Sequence, residues 1–521
     1  MEATELLTRQ PRGAVAALRD WFERLCDLDF TTPVAFAALA GAYLASRLVF
    51  LDFGYGTDPD AWRVALTGEY LLREGDYYPS RLPGYPLHEF VTTATMWTGS
   101  FLDNPWVLTN LTTVAVSLAG VYLFAMLARK LDLPNAGLLT LGFAFAPLLW
   151  INSVMTMDYM WALTFLLAAY LAILYRSPTA AGLALGVAAG FRLTSLFMLP
   201  VFWVLLVRTG SREHLRTVTF TALAITLGAY TLALMDYGLN VLNFYDEPVQ
   251  YQEFIKRLGK DGLGIVGGLA LIVALALSAK RLRRFPADLV RDPQVLTWAA
   301  TIAIFFVSYM RLPHEIAYLI PLFPFGYFLM ARYMSRAVLA MALAVIVLAG
   351  FVDITSPDDK IGITSETFTS SRIGRGMMLS NFETLRNQRD FADELRELTV
   401  TNEQIERPAV IVVGFIYPQL VMRYQDELRI GLLHEDLEAI SQLSDKGLAR
   451  DETNQLEYVW LLDFDDFQAF QDEGKSIYYT ADAATSNLAV YGYRLGYFGG
   501  LELPLSRDNP SLGEGTADTD R

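Results

Sequence analysis

The chain alternates long apolar runs with short polar segments. Runs of about 17 or more apolar residues are long enough to cross a bilayer as helices. Eleven runs approach or exceed this length, at residues 33–51, 105–128, 136–151, 156–175, 179–191, 193–208, 216–235, 263–279, 294–310, 315–331 and 336–352. The run at 179–191 is short and can form one unit with the next. The pattern predicts a polytopic α-helical membrane protein with about 11 transmembrane helices.

Lys and Arg in the short loops predict the orientation of these helices. They concentrate in alternate loops and in the segment before the first run, at Arg9, Arg12, Arg19, Arg24, Arg129, Lys130, Arg176, Arg208, Arg212, Arg216, Lys280, Arg281, Arg283, Arg284, Arg332 and Arg336. Because cytoplasmic loops carry an excess of basic residues, these loops and the N-terminus are assigned to the cytoplasm. The other loops are then external. Short loops favour a prokaryotic plasma (inner) membrane.

The same pattern divides the chain into four parts. Residues 1–32 are predicted to form a cytoplasmic amphipathic segment, and residues 33–353 a transmembrane domain whose first external loop is 52–104. Residues 354–505 are predicted to form an external soluble domain. Residues 506–521 are polar and acidic, which is typical of a disordered tail.

The external part shows a different periodicity. Three short apolar segments, Ala409–Phe415, Tyr458–Phe464 and Ser476–Tyr479, have the composition of buried strands, and each is followed by a segment of helical pattern. Strands that alternate with helices predict an α/β layer with parallel strands. No glycine-rich phosphate loop follows any of these strands, so nucleotide binding is not predicted.

Composition and charge narrow the function classes. Hydrophobic residues make up 53% of the chain and mean hydropathy is +0.31, values that favour a membrane protein with a sizeable soluble part. Residues 353–521 contain 31 acidic and 15 basic residues, so the acidity of the chain lies in the external part. This argues against a nucleic-acid partner. Cys26 is the single cysteine, so an intramolecular disulfide is excluded.

The first external loop carries the most informative motif, Asp58-Pro59-Asp60. A hydroxyl nucleophile needs a base that takes its proton, and a carboxylate at the membrane surface supplies one. Two carboxylates this close can also bind a divalent cation such as Mg²⁺ or Mn²⁺ against a phosphate. The alternative interpretation is structural, because Asp is a favoured N-cap residue and a helix is predicted from about residue 60 to 73.

Further charged residues occupy the loops on the same predicted side. Arg81 and His88 are candidates for contact with a phosphate, and Glu89 for a hydrogen bond to a sugar hydroxyl. Asp158 and Arg192 lie at the outer ends of spans, where a charge usually faces a cavity or a partner. A turn with solvated charges, an N-cap and snorkelling to the surface are the structural alternatives.

A last cluster, Arg311, His314 and Glu315, falls in an outer loop between two spans. Arg and His suit a phosphate leaving group, on which negative charge grows as the sugar departs. The alternative interpretation is a structural salt bridge.

These residues resemble a known family, the glycosyltransferase C superfamily of integral membrane enzymes that use polyprenyl-phosphate sugars. The spacing from Asp60 to Gly75-Asp76 resembles the first-loop pattern of its aminoarabinose and protein mannosyltransferase branches. Asp58-Pro59-Asp60 is similar to the Pro-Asp-Glu pattern of the eukaryotic anchor mannosyltransferases, although Ala61 stands in place of the Glu.

The same anchor enzymes have a His-Lys-Glu…Tyr-Pro loop. His314-Glu315, followed by Tyr318 and Pro321, resembles that loop loosely. The overall resemblance covers about residues 30–352.

The resemblance implies an enzyme that moves a sugar from a polyprenyl-phosphate donor to a lipid, glycan or protein acceptor on the external face, with inversion. It implies Asp60 as the base and Asp58 as the second candidate. It implies no certain cofactor, and membrane lipids as the surroundings. Two competing hypotheses remain from the sequence: a lipid or solute transporter or flippase, since charged and Gly- or Pro-interrupted spans also suit transport, and a non-catalytic scaffold on the same fold.

Overall fold

The structure is a computed structural model. It describes residues 14–242, 258, 262–312, 315–352, 376–379, 381–382, 385, 391–403, 405–413, 417–423, 447–460, 464–480, 496–498 and 501–503. Some sequence predictions lie outside the described residues: the first 13 residues of the N-terminal segment, the helical segment that follows the third predicted strand, the site residue His314 and the acidic tail 506–521.

Helices dominate the chain up to residue 352. In order they are α1 (Ala14–Cys26), α2 (Pro33–Leu48), α3 (Pro59–Glu74), α4 (Pro86–Thr98), α5 (Trp106–Lys130), α6 (Ala136–Phe145), α7 (Pro147–Ser153), α8 (Tyr159–Leu174), α9 (Pro178–Phe191), α10 (Met198–Arg208), α11 (His214–Ala229), α12 (Thr231–Tyr237), α13 (Ile265–Leu277), α14 (Ala279–Leu282), α15 (Phe285–Arg291), α16 (Pro293–Arg311), α17 (Leu322–Tyr333) and α18 (Arg336–Ala349). Short 3₁₀ helices at Leu193–Phe197, Gly238–Leu242 and Ile316–Leu319 join some of them.

Each of the eleven predicted apolar runs overlaps one or more of these helices. By length and composition, α5 and α16 can each cross a membrane alone, and up to five spans result if each of three bent helix pairs counts as one. The remaining apolar helices have 10–17 residues. Since a helix rises about 1.5 Å per residue, these are shorter than a hydrocarbon core of about 30 Å. The described helices therefore confirm a mostly helical chain with apolar helices, whereas the membrane crossings and their number stay a prediction.

A break between α6 and α7 interrupts one of the predicted spans. Ala146 is non-helical and Pro147 begins α7, with a bend of 55° between the two helices. The guanidinium of Arg47, which is buried inside α2, donates a hydrogen bond of 2.6 Å to the carbonyl of Ala144 at the end of α6. Its charge also lies 3.6 Å from the ring centre of Tyr43. Arg47 thus satisfies a carbonyl that the end of α6 leaves without a helical partner.

Four helices, α5, α8, α9 and α11, pack side by side in that order. Small residues on α9 allow the close approach. A Cβ added to Gly182 would lie 2.8 Å from the carbonyl oxygen of Val218, and one added to Gly186 would lie 2.8 Å from that of Ala222. Such small residues four apart let helix backbones meet in a membrane. The tight packing fixes the end of α9, where Arg192 follows.

Among the described residues, the C-terminal part forms a six-stranded sheet. Its strands are β1 (Ala409–Val412), β2 (Gly447–Asp451), β3 (Leu456–Val459), β4 (Ser476–Thr480), β5 (Gly496–Phe498) and β6 (Leu501–Leu503), in the order β2-β3-β1-β4-β6-β5. The helices of this part are α19 (Phe391–Thr401), α20 (Tyr417–Arg423) and α21 (Phe464–Asp472). β1 is parallel to both β3 and β4, and the other pairs are antiparallel.

The three parallel strands overlap the three segments that the sequence predicts as buried strands. β1 and β4 begin at the predicted residues, whereas β3 begins two residues early and shares only Tyr458 and Val459 with its predicted segment. The antiparallel strands β2, β5 and β6 were not predicted; β2 and β5 are the edges of the sheet. The external position of this part stays a prediction, as do the domain limits at residues 353 and 505.

The C-terminal part contacts the helical part at the first loop. α20 packs against α3. Asn381 and Thr57, just before α3, are joined by a hydrogen bond of 3.0 Å. The ring of Phe382 meets those of Phe50 and Phe53 edge-on. The segment that carries Asp58 and Asp60 is therefore packed against residues of the C-terminal part.

Candidate functional site

Asp58 begins α3 and acts as its N-cap. Its side chain accepts a hydrogen bond of 3.0 Å from the backbone N–H of Asp60, and Pro59 occupies the first helical position. Both features are expected at a helix start. Asp58 therefore has the structural role of an N-cap. This role is compatible with a chemical role for either carboxylate.

The loop before Asp58 is anchored at several points. The side-chain amide of Asn110 on α5 donates to the carbonyl of Gly54, at 2.9 Å, and the backbone N–H of Thr156 donates to that of Tyr55, at 2.7 Å. The indole N–H of Trp62 donates to the carbonyl of Gly56, at 3.0 Å. These bonds fix the position at which α3 starts.

Asp60 is buried between two arginines. Nη1 of Arg63 lies 3.1 Å from Oδ1, and Nη1 of Arg81 lies 2.9 Å from Oδ2. Arg63 is three residues further along the same helix face, whereas Arg81 comes from the loop between α3 and α4. Each carboxylate oxygen therefore has its own guanidinium partner.

The charges around the two first-loop carboxylates push their pKa values apart. Burial acts to raise the pKa of Asp60, but the charges of Arg81 and Arg63 outweigh it and hold that pKa below its usual range. The pKa of Asp58 lies well above its usual range because of burial and the negative charges of Glu315 and Asp60. Asp60 is consequently ionised at neutral pH, and Asp58 holds a proton more tightly.

Asp158 and Arg192 form a second buried pair. Nη1 of Arg192 lies 3.0 Å from Oδ1 and 2.8 Å from Oδ2 of Asp158. The guanidinium carbon lies 3.9 Å from the ring centre of Tyr159, 4.5 Å from that of Tyr318 and 5.5 Å from that of Tyr85. Aromatic faces attract a cation at such distances. Arg192 is therefore held by a carboxylate and three tyrosine rings.

Glu315 joins this second pair to the first. Its Oε2 accepts a hydrogen bond of 3.0 Å from the hydroxyl of Tyr159, and its charge acts on Asp58. Arg192 in turn acts on Asp60. We call the whole group the carboxylate–arginine cluster; it comprises Asp58, Asp60, Arg63, Arg81, Asp158, Arg192 and Glu315.

Glu89 bonds to the loop that carries Arg81. Its carboxylate accepts hydrogen bonds from the Tyr77 hydroxyl and from the backbone N–H and hydroxyl of Ser80, the last two at 2.8 and 2.5 Å. Burial raises the pKa of Glu89, although these hydrogen bonds act in the opposite direction. The observed contacts make Glu89 a support for the loop, and its predicted bond to a sugar is untested.

His88 and Arg311 occupy different surroundings from each other. The buried ring of His88 packs edge-on against Trp161, with ring centres 5.8 Å apart. Burial lowers the pKa of His88 to about 3. Arg311 is the last residue of α16 and is exposed. His88 is thus a neutral packing residue in this structure.

Sequence reasoning missed part of the cluster. Arg63 stands at i+3 from Asp60, a spacing that predicts contact on a helix, and this signal was available. Tyr159 and Tyr318 carry no pattern that distinguishes them from other membrane tyrosines. Their place around Arg192 follows from tertiary contacts, in which the two rings lie edge-on with centres 6.5 Å apart.

The predicted divalent-cation site at Asp58 and Asp60 is untested and stays a prediction. Both oxygens of Asp60 accept hydrogen bonds from guanidinium groups, which repel a cation. Among the described residues, no group of three or more His, Cys, Asp or Glu is arranged to bind a metal ion. No metal-dependent step is therefore assigned to these residues.

Comparisons with known proteins show which solved structures this chain resembles. No protein-family model matches the chain, and no curated protein sequence gives a significant match. The crystal structure of ArnT from Cupriavidus metallidurans in the apo state is similar, with a TM-score of 0.54, 15% identity, and coverage of 90% of this chain and 97% of that chain. ArnT from the same organism bound to undecaprenyl phosphate gives a TM-score of 0.50, 14% identity, and coverage of 91% and 98%.

The likeness extends over nearly the whole of both chains. At 14–15% identity it establishes the fold and leaves the chemistry to the site. The chain therefore has the fold of these ArnT structures.

Proposed function

We propose that this protein is a membrane glycosyltransferase that moves a sugar from a polyprenyl-phosphate donor to an acceptor on the external face, with inversion. The observation that carries the proposal is the carboxylate–arginine cluster, in which the ionised carboxylate of Asp60 lies beside the guanidinium groups of Arg63 and Arg81. Glycosyl transfer needs this combination, because a base must take a proton while a phosphate leaves.

The proposed step is a single displacement. Asp60 removes the proton from the acceptor hydroxyl, whose oxygen forms a bond to the anomeric carbon as the bond to the donor phosphate breaks. The electron pair of that bond goes to the phosphate oxygen. Arg81, Arg192 and Arg311 are the proposed phosphate-binding cations, and His314 keeps this role as a sequence prediction.

Two carboxylates compete for the role of base. Asp58 has the higher pKa and so the greater intrinsic basicity, but its carboxylate caps α3. Asp60 is ionised, and its Oδ2 lies beside Arg81, whose side chain is partly exposed. We assign the base to Asp60 because it combines an available negative charge with an approach from the exposed side.

The fold likeness supports the donor class. One of the similar ArnT structures contains undecaprenyl phosphate, a polyprenyl phosphate. A polyprenyl-phosphate sugar and a membrane location for this chain are proposals that extend that likeness. The acceptor is proposed as a lipid, glycan or protein, with the C-terminal part beside the first loop contributing to its binding.

The competing transporter hypothesis expects charges near the middle of spans. Members of the cluster lie instead at element ends: Asp58 at the start of α3, Asp158 before α8, Arg192 after α9 and Glu315 in a loop. Arg47 is a buried charge inside a helix, and it bonds to backbone and side-chain groups of α2, α6 and α7. This distribution favours the transferase.

The decisive experiment is transfer of radiolabelled sugar from polyprenyl-phosphate donors by the purified full-length protein. We expect transfer by the wild type and a loss of about 10²- to 10⁴-fold in Asp60→Asn. Glu69→Gln is the matched control, since it removes a carboxylate from the same helix outside the cluster, and it is expected to retain activity.

Full activity of Asp60→Asn would refute the assignment of the base. Absence of transfer by a folded wild type with every donor tested would refute the transferase and favour the transporter or scaffold.

A further inference from the structure

Asp60 is held by two arginines that differ in their freedom to move. The side chain of Arg63 is 3% exposed, whereas that of Arg81 is 26% exposed. Arg63 belongs to α3, and Arg81 belongs to the loop that follows Gly75. Of these two ion pairs, the one with Arg81 is therefore the one that can open without unpacking a helix.

Arg192 provides a useful contrast. Its side chain is 9% exposed, both oxygens of Asp158 accept from it, and three tyrosine rings surround it. Moving this guanidinium would expose a buried carboxylate and break the aromatic contacts, which is costly. Among Arg63, Arg81 and Arg192, Arg81 is the residue suited to a change of partner.

We propose that Arg81 changes partner during each turnover, leaving Asp60 for the departing phosphate as the acceptor proton reaches Asp60. The inference rests on the proposed function and adds to it a coupling between the base and the leaving group. Arg81 then pairs with Asp60 before transfer and with the departing phosphate after it. One cation therefore serves the base and the leaving group in turn.

The charges of the step balance in this arrangement. Before transfer, Asp60 carries a full negative charge, and a sugar phosphodiester has one. Transfer neutralises Asp60 by a proton and gives the product phosphate monoester a second ionisable oxygen. The attraction for Arg81 therefore falls at Asp60 and rises at the phosphate in the same step.

If Arg81 is shared in this way, removing the charge of Asp60 should strengthen the binding of a phosphate ligand. Asp60→Asn resembles the protonated carboxyl in shape and charge, so it should release Arg81 toward a phosphate. We expect this variant, inactive in transfer, to bind undecaprenyl phosphate at least about threefold more tightly than the wild type. A carboxylate that merely shapes the site would leave this affinity unchanged or weaker.

The test is a double-mutant cycle on the full-length protein in lipid nanodiscs, with undecaprenyl phosphate as the ligand. The four proteins are the wild type, Asp60→Asn, Arg81→Ala and the double variant. We expect the tightening caused by Asp60→Asn to vanish in the Arg81→Ala background. Relief of charge repulsion alone would give equal tightening in both backgrounds and would overturn the inference.

Two controls keep the outcomes distinct. Thermal unfolding of each variant shows that it is folded, and Glu69→Gln shows what the loss of a neighbouring carboxylate does by itself. Binding by the wild type that Asp60→Asn fails to tighten would overturn the inference and leave the proposed function standing. No binding by the wild type would overturn the proposed function, and the inference with it.

Discussion

One guanidinium nitrogen of Arg192 bonds both carboxylate oxygens of Asp158, and the two residues lie 34 positions apart in the chain. The pair joins the end of α9 to the start of α8 in a buried setting. A buried ion pair of this kind is strongly destabilised when one partner is removed, because the other charge remains without compensation.

We therefore expect Asp158→Asn to lower the free energy of unfolding by about 3–5 kcal/mol. Thermal unfolding at neutral pH measures it. Glu23→Gln is the control, since it removes the partner of Arg19 in an exposed pair, where little change is expected. Equal shifts in the two variants would show that the Asp158 pair has no special role in stability.

The burial of His88 predicts a pH dependence of stability. Its pKa is lowered from the usual 6.5 to about 3. Between these values the unfolded chain binds a proton that the folded protein does not. The free energy of unfolding therefore falls as pH falls through this window, by up to about 1.4 kcal/mol per pH unit from this residue.

His88→Phe removes the titrating imidazole and keeps an aromatic ring that packs against Trp161. We expect its melting temperature to fall less than that of the wild type when the pH is lowered from about 7 to about 5. The other titrating groups are common to both proteins and cancel in the comparison. Parallel curves for the two proteins would contradict the predicted role of His88.

Glu89 is expected to act on catalysis through the loop of Arg81. Glu89→Gln weakens the charge-assisted bonds to Tyr77 and Ser80, and we expect kcat/KM to fall roughly tenfold as the loop loses its fixed position. Ser80→Ala removes one of these bonds and keeps the backbone one, so its loss should be smaller. A larger effect of Ser80→Ala than of Glu89→Gln would reject this explanation.

Metal removal tests the alternative role of the first-loop carboxylates. Because both oxygens of Asp60 already accept from guanidinium groups, we expect sugar transfer to survive chelation by EDTA. The measurement is the transfer rate before and after chelation and after Mg²⁺ or Mn²⁺ is returned. Activity lost on chelation and restored by either ion would show that the cluster rearranges to bind a cation.

The helices of the first loop were predictable in detail. Pro59 and Gly75 mark the ends of α3, and Pro86 begins α4, so local chemistry alone fixes these limits within about two residues. The break between α6 and α7 was missed, although Pro147 signals it, because the apolar run continues through it. The short strands β5 and β6 have three residues each, which is too few for a strand pattern to be recognised in the sequence.

The candidate site was predictable where its residues are close in sequence. The neighbourhood of Asp58, Asp60 and Arg63 follows from helix geometry. The pairing of Arg192 with Asp158, and the tyrosines around it, depends on how α8 and α9 pack, which no single-sequence pattern specifies. Sequence therefore identifies the charged residues, and tertiary structure decides which of them are partners.

The packing of α20 on α3 has a consequence for the order of events during synthesis of the protein. α3 is completed early in synthesis, whereas α20 follows about 340 residues later. At about 5–20 residues per second, the helix that carries Asp60 waits roughly 20–70 s for its cover. A ribosome-bound chain should therefore lack the contact between α20 and α3 until the residues of α20 have been synthesised.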